Sequence, residues 1–142
     1  MSFKKLITKK AEFSASHRYW NPEWDEEKNS EIFGKNTSPL GHGHNFHLEV
    51  TVEGEIDENT GMVINLFDLK VILAAVLERY DHKYLNEDLD EFRDIIPTPE
   101  NIARQLWIDL ESELETRKAE CSLYKVRLYE TPDLYVDYWK SE

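Results

Sequence analysis

At 142 residues the chain has the length of one domain, residues 1–142, with enough bulk to bury a core unaided by disulfides. Its side chains are 40 % hydrophobic and 32 % charged, a globular balance, but 17 basic against 29 acidic residues leave a net charge of −12. That field repels phosphate backbones and anionic lipid, so it argues against nucleic acid and membrane as partners.

A single cysteine, Cys121, excludes an intrachain disulfide and reads as a buried, inert thiol. No apolar run reaches the roughly 20 residues that a membrane span needs. The opening MSFKKLITKKAEF lacks the apolar core of a secretory signal. The expectation is a soluble, cytoplasmic protein.

In chain order, residues 3–17 read as a strand with Phe13, Ala15 and His17 on one face. Residues 21–41 are polar and rich in turn formers, and read as a long loop. Residues 44–54 alternate: Phe46, Leu48, Val50 and Val52 face one way, and His47, Glu49, Thr51 and Glu53 the other. Asp68 reads as the cap of a helix over about 69–80, with Leu69, Ile72, Leu73, Val76 and Tyr80 as its stripe. Thr98-Pro99-Glu100 reads as cap, first-turn proline and dipole-side acid of a second helix. Its buried face is Ile102, Ala103, Leu106, Leu110 and Leu114. Strands at 123–130 and 134–139 follow, joined at Thr131-Pro132-Asp133.

The order ββααββ predicts an α+β fold, an antiparallel sheet with both helices on one face. Such a sheet has two open edges, so an oligomer is expected.

Three of the five histidines crowd into GHGHNFHLEV, residues 41–50. His42 and His44 are two apart, so in an extended segment they share a side, while His47 points away beside Glu49. A histidine pair holds two corners of a zinc tetrahedron, and catalytic zinc usually takes a third protein ligand and leaves a fourth position open. If the first strand pairs beside residues 44–54, His17 can meet the other two. By itself His-Gly-His also reads as a turn leading into a strand.

FSASHR (13–18), FGKNTSPLGHGHNF (33–46), TGMVINLFDLK (60–70), YDHKYLN (80–86), PTPEN (97–101) and LYKVRLYET (123–131) together carry a resemblance. The chain resembles the 6-pyruvoyltetrahydropterin synthase family, which includes the 6-carboxytetrahydropterin synthases. The spacing of its FGK…HGHN segment is nearer the pyruvoyl-forming branch. The resemblance implies the tunnelling fold, a four-stranded antiparallel sheet with two helices, assembled as a homohexamer of two trimers. It implies catalytic zinc on His17, His42 and His44, and a pterin ring anchored by Glu130 in a pocket between subunits. Residue parity agrees for Glu130, which aligns with Tyr124, Val126 and Leu128 at the apolar end of its strand; an exposed strand-end glutamate is the plainer reading. The resemblance also sets Thr98 near the pterin, although Thr98 reads equally as a helix cap. It makes Asp81 and His82 a catalytic pair, whose functional partners can come from different chains, where residues alone also allow a polar helix end.

The resemblance implies conversion of 7,8-dihydroneopterin triphosphate to 6-pyruvoyltetrahydropterin with loss of triphosphate. One position departs from the pattern. The pyruvoyl-forming branch carries a catalytic cysteine six residues before the first histidine of HGH, and Asn36 stands there. The queuosine branch has its cysteine two residues later, where this chain has Ser38. A third branch uses a glutamate close to HGH, and Pro39, Leu40 and Gly41 offer no acid. An asparagine amide carries no proton that titrates near neutrality. Three outcomes stay open: a synthase that is slow or uses another base (His82, or a loop carboxylate such as Glu31), a pterin-binding protein without turnover, or a homologue forming a 6-carboxy or 6-hydroxymethyl pterin. Arg18, Lys35 and Lys83 lie beside these motifs as candidates to meet a triphosphate, or as ordinary solvated charges.

Overall fold

A computed structural model describes residues 2–141. Two long strands, β1 (Leu6–His17) and β2 (His42–Glu53), pair antiparallel over their whole length, from Leu6 opposite Glu53 to His17 opposite His42. Their alternation puts Phe13, Ala15, Phe46, Leu48, Val50 and Val52 on one buried face. Strand β4 (Ser122–Thr131) pairs antiparallel with β2, and β5 (Leu134–Tyr138) with β4. Helices α2 (Leu66–Leu77) and α5 (Pro99–Thr116) lie together over the buried face, in one core with the strands. The α+β arrangement with helices on one side is as expected.

Several details differ from the sequence reading. The sheet has five strands, because β3 (Lys83–Tyr84) adds a short parallel pairing beside Ala15 and Ser16, in the order β3-β1-β2-β4-β5. Residues 21–41 are not one loop: they hold helix α1 (Glu26–Phe33) and a 3₁₀ turn (Gly34–Thr37). Asp25 caps α1, and the buried Asn29 amide donates to the carbonyls of Asn21, Trp24 and Asp25 while its oxygen accepts from the Asn21 N–H. Short helices α3 (Leu85–Asp88) and α4 (Glu91–Asp94) add to the two expected helices. Helix α2 starts three residues earlier than its apolar stripe, with Asn65 rather than Asp68 as its cap. A bulge between Thr51 and Val52 sets Lys125 opposite Thr51 and Leu123 opposite Val52, so Leu123 enters the core and Tyr124 does not.

At the far edge Arg127 and Asp137 are cross-strand partners joined by a two-pronged contact, Nε to Oδ1 at 2.6 Å and NH2 to Oδ2 at 2.8 Å. The Arg127 guanidinium holds the Asp137 carboxyl below its usual range. A depressed folded pKa gives stability that is present above the unfolded value, near 3.9, and lost as pH falls through the folded one. Asp137→Asn is therefore expected to cost about 1 kcal/mol in urea unfolding at pH 7. The difference from the parent should shrink towards zero as the pH drops below 4.

Candidate metal centre

His17 is the last residue of β1 and His42 the first of β2, and the register sets them directly opposite one another, with Ala15 opposite His44. All three imidazoles therefore rise from the inner face, beyond the stacked rings of Phe13 and Phe46, whose centroids are 5.0 Å apart. The chain enters β2 through Gly41 at φ +72°, a region that costs other residues about 1–3 kcal/mol. A Cβ there would stand 2.8 Å from the His17 carbonyl oxygen. Gly41→Ala is expected to destabilise the fold by at least that amount and to weaken metal binding, because the clash displaces the backbone of both facing ligands. Denaturation and metal titration of the variant check both.

The ligand atoms of His17, His42 and His44 all lie within 4.8 Å of one another. Nε2 of His17 is 3.1 Å from Nε2 of His42. The His17 ring is wholly buried, and its Nδ1 is 2.7 Å from the Pro97 carbonyl. A carbonyl only accepts, so Nδ1 carries the proton and Nε2 turns its lone pair inward. Burial lowers the His17 pKa to about 4 despite that hydrogen bond, which leaves the ring neutral near pH 7. Burial lowers His44 as well, against the opposing pull of Glu130. Nε2 of His44 is buried with no hydrogen-bond partner among the described residues. Three ring nitrogens that come together, one of them buried and without a hydrogen-bond partner, make a donor set that could hold a divalent metal ion.

Glu130 reaches the same cluster from β4. Its carboxylate is 3.6 Å from Nε2 of His44 and 3.9 Å from Nε2 of His17, with the side chain 13 % exposed. The Tyr19 hydroxyl stands 3.4 Å from Glu130, and the Tyr19 ring packs edge-on against His17. Burial and Glu130 push the Tyr19 phenol pKa up, so it stays protonated. Asn36 is half-buried in the 3₁₀ turn, and its carbonyl accepts the Tyr19 N–H at 2.8 Å, which ties that turn to the end of β1. Thr98 caps α5 by accepting the Asn101 N–H, directly after the carbonyl that orients His17.

Asp81 and His82 stand apart from the cluster, in the turn after α2. Asp81 Oδ1 accepts the Ser14 N–H at 2.9 Å, and Oδ2 lies 3.0 Å from His82 Nδ1. The Ser14 amide, then His82, holds the Asp81 carboxyl below its usual range. His82 has φ +61°, donates its N–H to the Ser14 carbonyl and leaves its ring 82 % exposed. A cavity of about 640 Å³ is lined by Ser14, Ser16, His44, Asn45, His82 and Lys83, so His82 and one imidazole of the cluster border the same space. Arg18 is held by the Thr37 carbonyl and lies over Trp20; Lys35 and Lys83 are exposed. Cys121 is half-buried before β4, with its thiol pKa raised by burial.

Sequence reasoning missed two contributors to this centre. The Pro97 carbonyl is a backbone group with no side-chain signature. Tyr19 lies just past a strand end, where parity has lapsed.

Among the described residues no helix is long and apolar enough to cross a membrane. The model of the family described as 6-pyruvoyl tetrahydropterin synthase matches residues 6–141. A 6-pyruvoyl tetrahydrobiopterin synthase of Pongo abelii is 44 % identical over 133 residues, covering 93 % of this chain and 89 % of that protein. The Homo sapiens protein of the same name is 43 % identical with the same coverage. The structure of Caenorhabditis elegans 6-pyruvoyl tetrahydropterin synthase superposes with a TM-score of 0.89 at 34 % identity, covering 97 % of this chain and 96 % of that one. With the tunnelling fold and three converging imidazoles alongside matches that run nearly end to end, the chain belongs to the 6-pyruvoyl tetrahydropterin synthase family.

Proposed function

We propose that this chain is a zinc-dependent lyase of the pterin synthase type. Its substrate would be 7,8-dihydroneopterin triphosphate and its product 6-pyruvoyltetrahydropterin, with triphosphate released. The observation that carries this reading is the convergence of His17, His42 and His44, one with an unpartnered buried nitrogen. Those three residues would hold the ion. Zinc with one open position supplies Lewis-acid polarisation to a coordinated hydroxyl and acidifies the bonds beside it.

The chain's own groups would do the rest. The amino-pyrimidine edge of a pterin presents two adjacent N–H donors, a match for the two oxygens of Glu130. Thr98, at the start of α5, would border the ring. Asp81 accepts from His82 Nδ1, which leaves Nε2 free to take or return a proton. The pair sits at the exposed edge of β1, so it would serve a site completed by a neighbouring subunit in a homohexamer of two trimers. Arg18, Lys35 and Lys83 are the candidates to offset the triphosphate's charge. A cytoplasmic location fits the single unpaired thiol.

Asn36 supports a second reading. At the position of the catalytic cysteine it can orient a hydroxyl but cannot act as a base. A pterin-binding protein without turnover, or one forming a 6-carboxy or 6-hydroxymethyl pterin, accommodates that residue. Incubation of zinc-loaded protein with 7,8-dihydroneopterin triphosphate separates the readings. The synthase reading predicts triphosphate release and the mass of the 6-pyruvoyl product. Binding without release supports the second reading, and a product of different mass names the altered chemistry.

A further inference from the structure

We infer that the face of the sheet turned away from the helices carries an oligophosphate site, in the cavity where Lys83, Asn45 and Ser16 meet beside His82. The site stands on its own geometry. Only the identification of its anion with the triphosphate of 7,8-dihydroneopterin triphosphate rests on the proposed function.

Strand alternation puts polar groups there. Ser14 and Ser16 lie between the buried Phe13, Ala15 and His17, and so project from the opposite face. Asn45, next to the buried Phe46, does the same on β2, and the register sets it opposite Ser14. Gly43 stands opposite Ser16. A Cβ at Gly43 would meet ordinary contacts, 3.4 Å from the Ala15 carbonyl oxygen and 3.8 Å from Ser16 Cβ. The backbone therefore does not require glycine here, and its bareness leaves the space in front of it open. Strand β3 brings Lys83 alongside, opposite Ala15 in the register. With His82 these residues line the cavity of about 640 Å³, ample for a chain of three phosphates.

Its wall is rich in donors that have nothing to donate to. The Ser14 hydroxyl donates to Asn45 Oδ1 at 2.6 Å. That bond fixes the orientation of the amide and leaves both Nδ2 hydrogens to a ligand. Asn45 Nδ2, the Ser16 hydroxyl and Lys83 Nζ have no hydrogen-bond or ion-pair partner among the described residues. Among those residues one acid borders the cavity, Asp88, and its Oδ2 already accepts the Tyr84 N–H at 2.8 Å. Asp81, behind His82, is taken up by the Ser14 N–H and by His82 itself. An ammonium, an amide and a hydroxyl around one open space complement an anion with many acceptor oxygens. Hydrogen bonds to charged acceptors are the strong ones, and a phosphate chain offers several at once. In a chain of net charge −12, a local cluster of this kind is what lets a polyanion dock.

Calorimetric titration of the metal-free protein with inorganic tripolyphosphate tests the site. Leaving out the metal removes the other group that a phosphate would seek. The wild type should bind tripolyphosphate. Lys83→Gln removes the charge, and Asn45→Asp replaces the donors with an acid of the same shape that can still accept from Ser14. Each should weaken binding by about tenfold or more. Both positions are exposed, so thermal unfolding of the variants should match that of the wild type. The same titrations with 7,8-dihydroneopterin triphosphate identify the source of the anion. Equal weakening puts the substrate's own triphosphate in this cavity, and unchanged substrate affinity makes it a site for free oligophosphate; both outcomes uphold the site. A wild type that binds no tripolyphosphate, or variants that bind it as tightly as the wild type, would overturn the inference. The synthase reading would be untouched by that result, since it is decided by triphosphate release from the zinc-loaded protein.

Discussion

Replacing His42 with alanine is expected to lower metal affinity by more than about 100-fold. Outer-shell partners alone are typically worth about 10–100-fold, and His42 is a proposed direct ligand. Triphosphate release should fall to the level of the metal-free protein. His42 is half-buried at the first position of β2, outside the packed core, so its loss should leave the metal-free fold near its parent stability. His17→Ala should behave differently. It also strands the buried Pro97 carbonyl, which costs about 1–3 kcal/mol when left unpaired. Chelator competition and denaturation of the two metal-free variants therefore separate ligand loss from structural damage. Metal retention by the His42 variant would count against the proposed ligand set.

The second large effect is a gain. Asn36→Cys is expected to raise the rate of triphosphate release by about 10²–10⁴-fold, the usual worth of a positioned general base. The backbone of position 36 is fixed by the hydrogen bond from the Tyr19 N–H, and the side chain is half-buried, so cysteine replaces asparagine without opening a core cavity. Steady-state kinetics on zinc-loaded protein, with thiol alkylation as control, measures the effect. A gain abolished by alkylation would show a competent scaffold that lacks only its base. No gain, with substrate binding intact, would favour the repurposed site.

The parts of this architecture legible in the sequence are those set by strand parity. Phe46, Leu48, Val50 and Val52 read as an inner face and are one. The two-residue step from His42 to His44, with His17 ending the neighbouring strand, was enough to expect three imidazoles on one side. The cap at Thr98 was legible because capping and first-turn chemistry occupy consecutive residues. What stayed hidden depends on contacts distant in sequence or weak in pattern. Helix α1 lacks a strong apolar stripe and is held by Asn29 and by stacking of Trp24 on Phe33. Strand β3 is two residues long and follows from pairing with β1. The start of α2 was misplaced because Leu66 and Phe67 are helical yet exposed, so the buried stripe begins at Leu69. The bulge opposite Thr51 inverted the parity expected for Tyr124, a shift no alternation within β4 announces.

The central claim is that His17, His42 and His44 together bind one catalytic divalent ion. A crystal structure of the zinc-loaded protein, with anomalous data collected at the zinc edge, tests it most directly. The account predicts one ion per chain at about 2.0–2.1 Å from a ring nitrogen of each of the three histidines. A protein that takes up no zinc, or binds it away from these three rings, would contradict it.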